Sequence, residues 1–138
     1  MLHVVIDTNV LLAAMCSRLG ASFRLMSLVE SGKFETSISV ALLLEYEEVL
    51  MRNVPLLSKD EINDLLDYLC KISRHQTPFY LWRPLLRDPS DDMVVEAAVA
   101  GGCDSIVTFN SRDFAGVEQF GIRVMTPREF LVEIGELE

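Results

Sequence analysis

The sequence predicts an α/β fold in which a central parallel sheet of four to five strands carries helices on both faces. Three observations predict it. Short apolar runs rich in β-branched residues recur along the chain, and helix-like stretches separate them. Helix-capping residues open several of those stretches, and glycines close others. The chain has 138 residues, half of them apolar, which is enough to bury a sizeable core. No repeat, low-complexity tract or Ser/Gly-rich linker divides it, so one domain over residues 1–138 is expected.

The elements follow in order. Residues 2–6 read as a buried strand. Asp7, Thr8 and Asn9 are capping types and precede a helical run over 10–18. A second helix is expected over 22–31, with Leu25, Leu28 and Val29 on one face and Gly32 just past its end. Residues 34–39 alternate as a strand, and Ser39 is placed to cap a helix over 40–52. Pro55 marks a break, after which Ser58 and Glu61 form an S-x-x-E capping box for a helix reaching about Arg74. A short strand is expected at 79–82, followed by an acidic turn from Asp88 to Asp92 and a helix over 93–100 that Gly101 and Gly102 end. Strands are expected at 105–109 and 122–125. Thr126, Pro127 and Glu129 then combine a capping box with proline in the first turn of a final helix.

Charge and composition exclude several classes. Twelve basic against 21 acidic residues give a net charge of −9 and a pI near 4.6. That balance argues against a protein gripping a nucleic-acid duplex with a broad basic face. It leaves open enzymes whose acids hold a cation that then meets a phosphate. The longest uninterrupted apolar stretch, 10–16, is far shorter than the ~20 residues of a membrane-spanning helix. The N-terminus has no basic n-region and Asp7 interrupts its apolar run, so no signal peptide is expected. Cys16, Cys70 and Cys103 are odd in number and widely spaced among apolar neighbours. They are expected to be reduced, buried and cytoplasmic. With only His3 and His75 available, a zinc site of the usual His/Cys kind is not expected.

Ligands of parallel α/β sheets sit beyond the carboxyl ends of the strands, and there the sequence repeatedly places acids. Asp7 follows the first strand, and Glu45 lies in the second turn of the helix after the second. Asp88, Asp91 and Asp92 precede the helix at 93–100, and Asn110 and Asp113 follow the strand at 105–109. Carboxylates crowded on one rim repel one another, and a hard divalent cation such as Mg2+ or Mn2+ relieves the conflict. Each residue also has a plainer role: Asp7 as a helix cap, Asp88, Asp91 and Asp92 as partners of a helix dipole, Asn110 and Asp113 as turn formers, Glu45 as a surface glutamate. On a helical wheel Leu42, Leu43, Tyr46, Val49 and Leu50 form the apolar face. Glu45 and Glu47 border it, while Glu48 points away.

Val5-Ile6-Asp7-Thr8-Asn9-Val10-Leu11 resembles the opening motif of PIN-domain ribonucleases. The stretch from Asp88 to Ala100 and the run Ile106-Val107-Thr108-Phe109-Asn110-Ser111-Arg112-Asp113-Phe114 resemble their later motifs. The match spans nearly the whole chain in order, and is to the VapC-like toxins of bacterial and archaeal toxin–antitoxin systems. The resemblance implies a three-layer PIN-like fold and an endoribonuclease that uses Mg2+ or Mn2+ on single-stranded RNA. The family's acids fall on Asp7, Glu45 and Asp92. The fourth is split: Asn110 stands where the family often has Asp, and Asp113 keeps the later acid. Asp7 and Asp92 are then metal ligands and Glu45 a ligand or an orienter of water. Asp113 is an outer ligand, Asn110 a weak oxygen ligand or phosphate contact, and Asp91 a weaker candidate. Thr8 offers a hydroxyl for a water or phosphate, or for capping. A small antitoxin bringing an apolar helix and often an Arg is the implied partner. A homodimer through the early helices, around Met15, Phe23, Met26 and Leu28, is also implied.

Two other readings stay open. Asn110 is compatible with a catalytically silent PIN-like binding module. A haloacid-dehalogenase-type phosphohydrolase also has Asp after its first strand, but asks for a second Asp where Asn9 stands. No phosphate-binding Gly-rich loop follows the first strand, and no G-x-S-x-G elbow is present.

Overall fold

The first strand, β1 (Leu2–Ile6), is central because both of its faces are apolar: Val4, Val5 and Ile6 are all buried. In the computed structural model, which describes residues 1–77 and 89–137, β1 is followed by α1 (Thr8–Cys16), α2 (Ala21–Ser27), β2 (Phe34–Ile38), α3 (Val40–Asn53), α4 (Lys59–Ile72) and β3 (Arg74–His75). After the undescribed stretch come α5 (Pro89–Ala100), β4 (Ser105–Val107), two short 3-10 turns, β5 (Arg123–Met125) and α6 (Pro127–Glu133). The five strands pair in parallel in the order β3-β2-β1-β4-β5. This is the α/β sheet that the alternation of strand and helix patterns predicts.

Strand alternation divides the core. Val5 and Ile106 face one side, where Leu42, Tyr46 and Leu50 of α3, Ile62, Leu66 and Leu69 of α4, and Val94, Ala97 and Ala98 of α5 cover them. Val4, Ile6 and Val107 face the other, under Val10, Leu25, Phe130 and Leu131 of α1, α2 and α6. There Phe34 and Phe130 meet edge to face, with ring centroids 5.1 Å apart. α1 serves both layers, giving Leu11 to the first and Val10 to the second.

The caps act as the sequence indicates. Ser39 accepts from the Leu42 N–H at 3.2 Å, and Ser58/Glu61 and Thr126/Glu129 form complete capping boxes. Several boundaries differ from expectation; α1, expected over 10–18, runs from Thr8 to Cys16 because Asp7 is its cap. α5 begins at Pro89 and not at residue 93, since proline fits a helix start and Asp91 and Asp92 suit the dipole of its first turn. α4 stops at Ile72, because Ser73 turns extended and its hydroxyl pairs with that of Thr36 at 2.6 Å. Arg74–His75 then joins β2 as a two-residue strand, whereas the strand expected at 79–82 lies outside the described residues, as does Asp88. β4 ends at Val107, and α2 ends at Ser27 rather than at residue 31. Cys103 is buried and Cys70 partly so, but Cys16, at the end of α1, is exposed, contrary to expectation. No single helix among the described residues is long and apolar enough to cross a membrane.

The sheet order has one consequence for ligand binding. The chain leaves β1 for β2 on one side and returns to β4 on the other, so the rim beyond β1 and β4 is a topological switch point. Asp7 and Thr108 stand there, each one residue past its strand.

Candidate functional site

Asp7 is buried, and its carboxylate is held on both oxygens. Oδ1 accepts from the Thr8 N–H at 2.8 Å, which makes Asp7 the cap of α1. Oδ2 accepts from the Thr108 hydroxyl at 2.7 Å. Thr108 is wholly buried, and its oxygen also accepts from the Asn110 N–H at 3.0 Å and from the Asn9 amide at 3.4 Å. One donated proton and two accepted ones use the full capacity of a hydroxyl. The carbonyl oxygen of Asn9 accepts from the Phe109 N–H at 3.4 Å, tying the loops after β1 and β4 together. The Thr108 N–H still donates to the Met125 carbonyl at 2.8 Å, and beyond it the Phe109 and Asn110 N–H groups turn to side chains at the rim, where the pairing of β4 stops. Asp7 itself closes the ladder by donating its N–H to the Val107 carbonyl at 2.9 Å.

From the α3 side, the buried Tyr46 hydroxyl donates to the Ile6 carbonyl. Burial pushes its phenol far above the ordinary tyrosine range, and the neighbouring Asp7 carboxylate pushes it further, so Tyr46 acts only as a neutral donor. Glu45, one residue earlier, is half-buried, like Glu47; Glu48 is exposed and pairs with Arg52. On α5, Asp92 is 1% exposed and Asp91 half-buried. Glu96, one turn beyond Asp92 and so on the same helix face, is also buried. Asn110, Arg112 and Asp113 are exposed and, with Phe109 and Ser111, line an open groove of about 350 Å3.

The structure therefore joins Asp7 directly to the loop after β4 and buries Asp92 in the first turn of α5. It leaves Asn110 and Asp113 at the surface. Thr8 is not the cap; its N–H serves the Asp7 cap instead. Among the described residues, no three His, Cys, Asp or Glu side chains are gathered closely enough to hold a metal ion. The donor chemistry nevertheless fits a hard cation, because the candidate acids supply only oxygen and two of them are buried, where a carboxylate needs compensating charge or hydrogen bonds. Sequence reasoning missed Thr108 and Glu96. The four-residue spacing of Asp92 and Glu96 on one helix face was a usable signal. For Thr108 there was none, since its partner lies 101 residues away.

A parallel α/β sheet with a braced carboxylate at its switch point puts an acid where the ligands of such sheets bind. Residues 3–112 match the family model described as PIN domain. The chain belongs to the PIN-domain family, whose members are generally nucleases that depend on divalent metal. The haloacid-dehalogenase reading falls with this membership, and Asn9 is engaged in joining two loops. No curated protein sequence matches the chain. Solved structures share its fold, and two of them are VapBC proteins. VapBC2 from Rickettsia felis, bound to a DNA fragment from its promoter, superposes with a TM-score of 0.62 at 15% identity, over 89% of this chain and 98% of that one. VapBC-1 from nontypeable Haemophilus influenzae gives 0.64 at 12% identity, over 92% and 99%.

Proposed function

We propose that this chain is a Mg2+- or Mn2+-dependent endoribonuclease that cuts single-stranded RNA and serves as the cytoplasmic toxin of a toxin–antitoxin pair. The observation that carries the reading is the buried Asp7 carboxylate, braced by Thr8 and Thr108 at the switch point of a PIN-domain sheet. Likeness in fold to two VapBC structures supports the toxin role.

Asp7 and Asp92 would hold the cation, with Glu45 as ligand or orienter of water and Asp113 as an outer ligand. When bound, the ion supplies positive charge to the phosphate and leaving oxygen and eases deprotonation of the attacking water. Thr108 and the Thr8 N–H fix the plane of the Asp7 carboxylate, so that little reorganisation accompanies the reaction. The half-buried Glu45 would either join the ligands or orient that water. The Asn110 amide, at the surface beside Thr108, contacts phosphate. Asp91 and the Thr8 hydroxyl are weaker candidates for contacts to substrate or metal. A small antitoxin would bring an apolar helix and a cation to the acidic rim. Homodimerisation would use α1 and α2, where Met15, Phe23, Met26 and Leu28 are each half-buried.

The test is cleavage of single-stranded RNA by purified protein with Mn2+ and with EDTA. Metal should be required, and Asp7→Asn or Asp92→Asn should lower the rate by at least about 10–100-fold with unchanged circular dichroism. Wild-type rates from both variants would remove these residues from the site. No cleavage by the wild type with any metal would favour the silent binding module.

A further inference from the structure

We infer that Phe109 and Arg112 grip one nucleotide of the substrate beside the catalytic rim, Phe109 stacking on an unpaired base and Arg112 meeting an adjacent phosphate. The inference rests on the ribonuclease reading above and specifies how that site takes a single strand.

Phe109 is 48% exposed although the residue before it, Thr108, is wholly buried. A singly exposed Phe is ordinary on a protein surface; its fixation and its company set this one apart. Its own N–H is held by Asn9 and the next one, of Asn110, by Thr108. The backbone carrying the ring is thus tied on one side to the Asn9 side chain and on the other to the hydroxyl that braces Asp7. An aromatic on a held backbone costs less ordering when a base lies on it than one on a loose loop.

The ring borders the groove of about 350 Å3 that also holds Asn110, Ser111, Arg112 and Asp113. Arg112 is exposed and, among the described residues, has no ion-pair partner, which leaves its guanidinium able to take a phosphate in a two-pronged contact. With a net charge of −9, the chain gains little affinity for RNA from a general positive field. Stacking needs no such field and tolerates any base. It also selects single strands, because the faces of a base in a duplex are already covered by its neighbours.

The experiment uses a fluorescein-labelled single-stranded RNA oligonucleotide of mixed sequence, cleaved by the whole protein in Mn2+. Phe109→Ala should raise KM about 5- to 100-fold, the range of a lost base–aromatic stack, while kcat stays within about two-fold. Phe109→Trp should restore KM, and the melting temperature of Phe109→Ala should match wild type. Arg112→Ala should lower the slope of log affinity against log salt by about one phosphate contact. Binding of the oligonucleotide to Asp7→Asn, in which cleavage is suppressed, should weaken by the same factor when Phe109→Ala is added. If the wild type neither cleaves nor binds this RNA, the ribonuclease reading and the nucleotide grip fall together. If it cleaves and Phe109→Ala keeps the wild-type KM, the grip alone is overturned, as it is if Phe109→Trp fails to rescue.

Discussion

At the scale of single residues, Asp7 does two things with one carboxylate: it closes the first turn of α1 and stands at the switch point of the sheet. Capping and site roles need not compete here, because the cap uses Oδ1 while Thr108 engages Oδ2. Thr108→Val tests how far the brace matters, as valine keeps the shape and removes the proton donor. Cleavage should fall about 10–100-fold, as when a supporting partner of a metal ligand is lost. Stability should fall by about 1–3 kcal/mol, because the Asn110 N–H and the Asn9 amide also lose their acceptor. Thr108→Ser should keep most of both. RNA cleavage and urea melts of the three proteins check this, and a Val variant cleaving like wild type would mean that Thr108 does not position Asp7. Asp7 and Asp92 were legible in the sequence because they punctuate apolar runs. Thr108 was not, since a threonine at a strand end reads only as a β-former.

At the scale of elements, α3 shows how far periodicity reaches. Leu42, Tyr46 and Leu50 are buried at every fourth position, which puts Glu45 at the edge of the buried face and Glu48 in solvent beside Arg52. Glu45→Gln should therefore lower cleavage about 10–100-fold, and Glu48→Gln should be nearly silent in the same assay. Equal losses, or a larger one from Glu47→Gln, would mean that a different face of α3 meets the substrate. The wheel and the caps at Ser39, Ser58 and Thr126 are local properties, so they were readable from residues a few positions apart. The start of α5 was misplaced because Pro89 and the following acids read equally as a turn and as a helix opening. β3 escaped because it is two exposed residues long; only its pairing with Ser37 and Ile38 makes it a strand. That pairing joins residues 37 positions apart, and no local pattern encodes it.

At the scale of the whole molecule, an acidic chain brings buried carboxylates to elements that meet only after the sheet has assembled. Asp7 follows the central strand and Asp92 opens the helix leading to β4, so their arrangement exists in the folded state and not in the unfolded chain. A cation held there binds the native protein alone and must stabilise it. At a free concentration about 100-fold above its dissociation constant the gain is roughly 2.7 kcal/mol. For a domain of this size that corresponds to about 5–15 °C in melting temperature. Asp92→Asn should shrink this increment sharply, because an amide oxygen is a far weaker ligand than a carboxylate. Asp92 lies inside the first turn of α5 and not at its cap, so a purely structural role changes the metal-free fold alone and predicts equal increments in the two proteins. The quantity to compare is the shift from EDTA to saturating Mn2+, measured for each protein against its own baseline, which cancels any change that the substitution makes to the metal-free fold. Parallel responses from wild type and Asp92→Asn would place the cation elsewhere and leave Asp92 a buried support of α5.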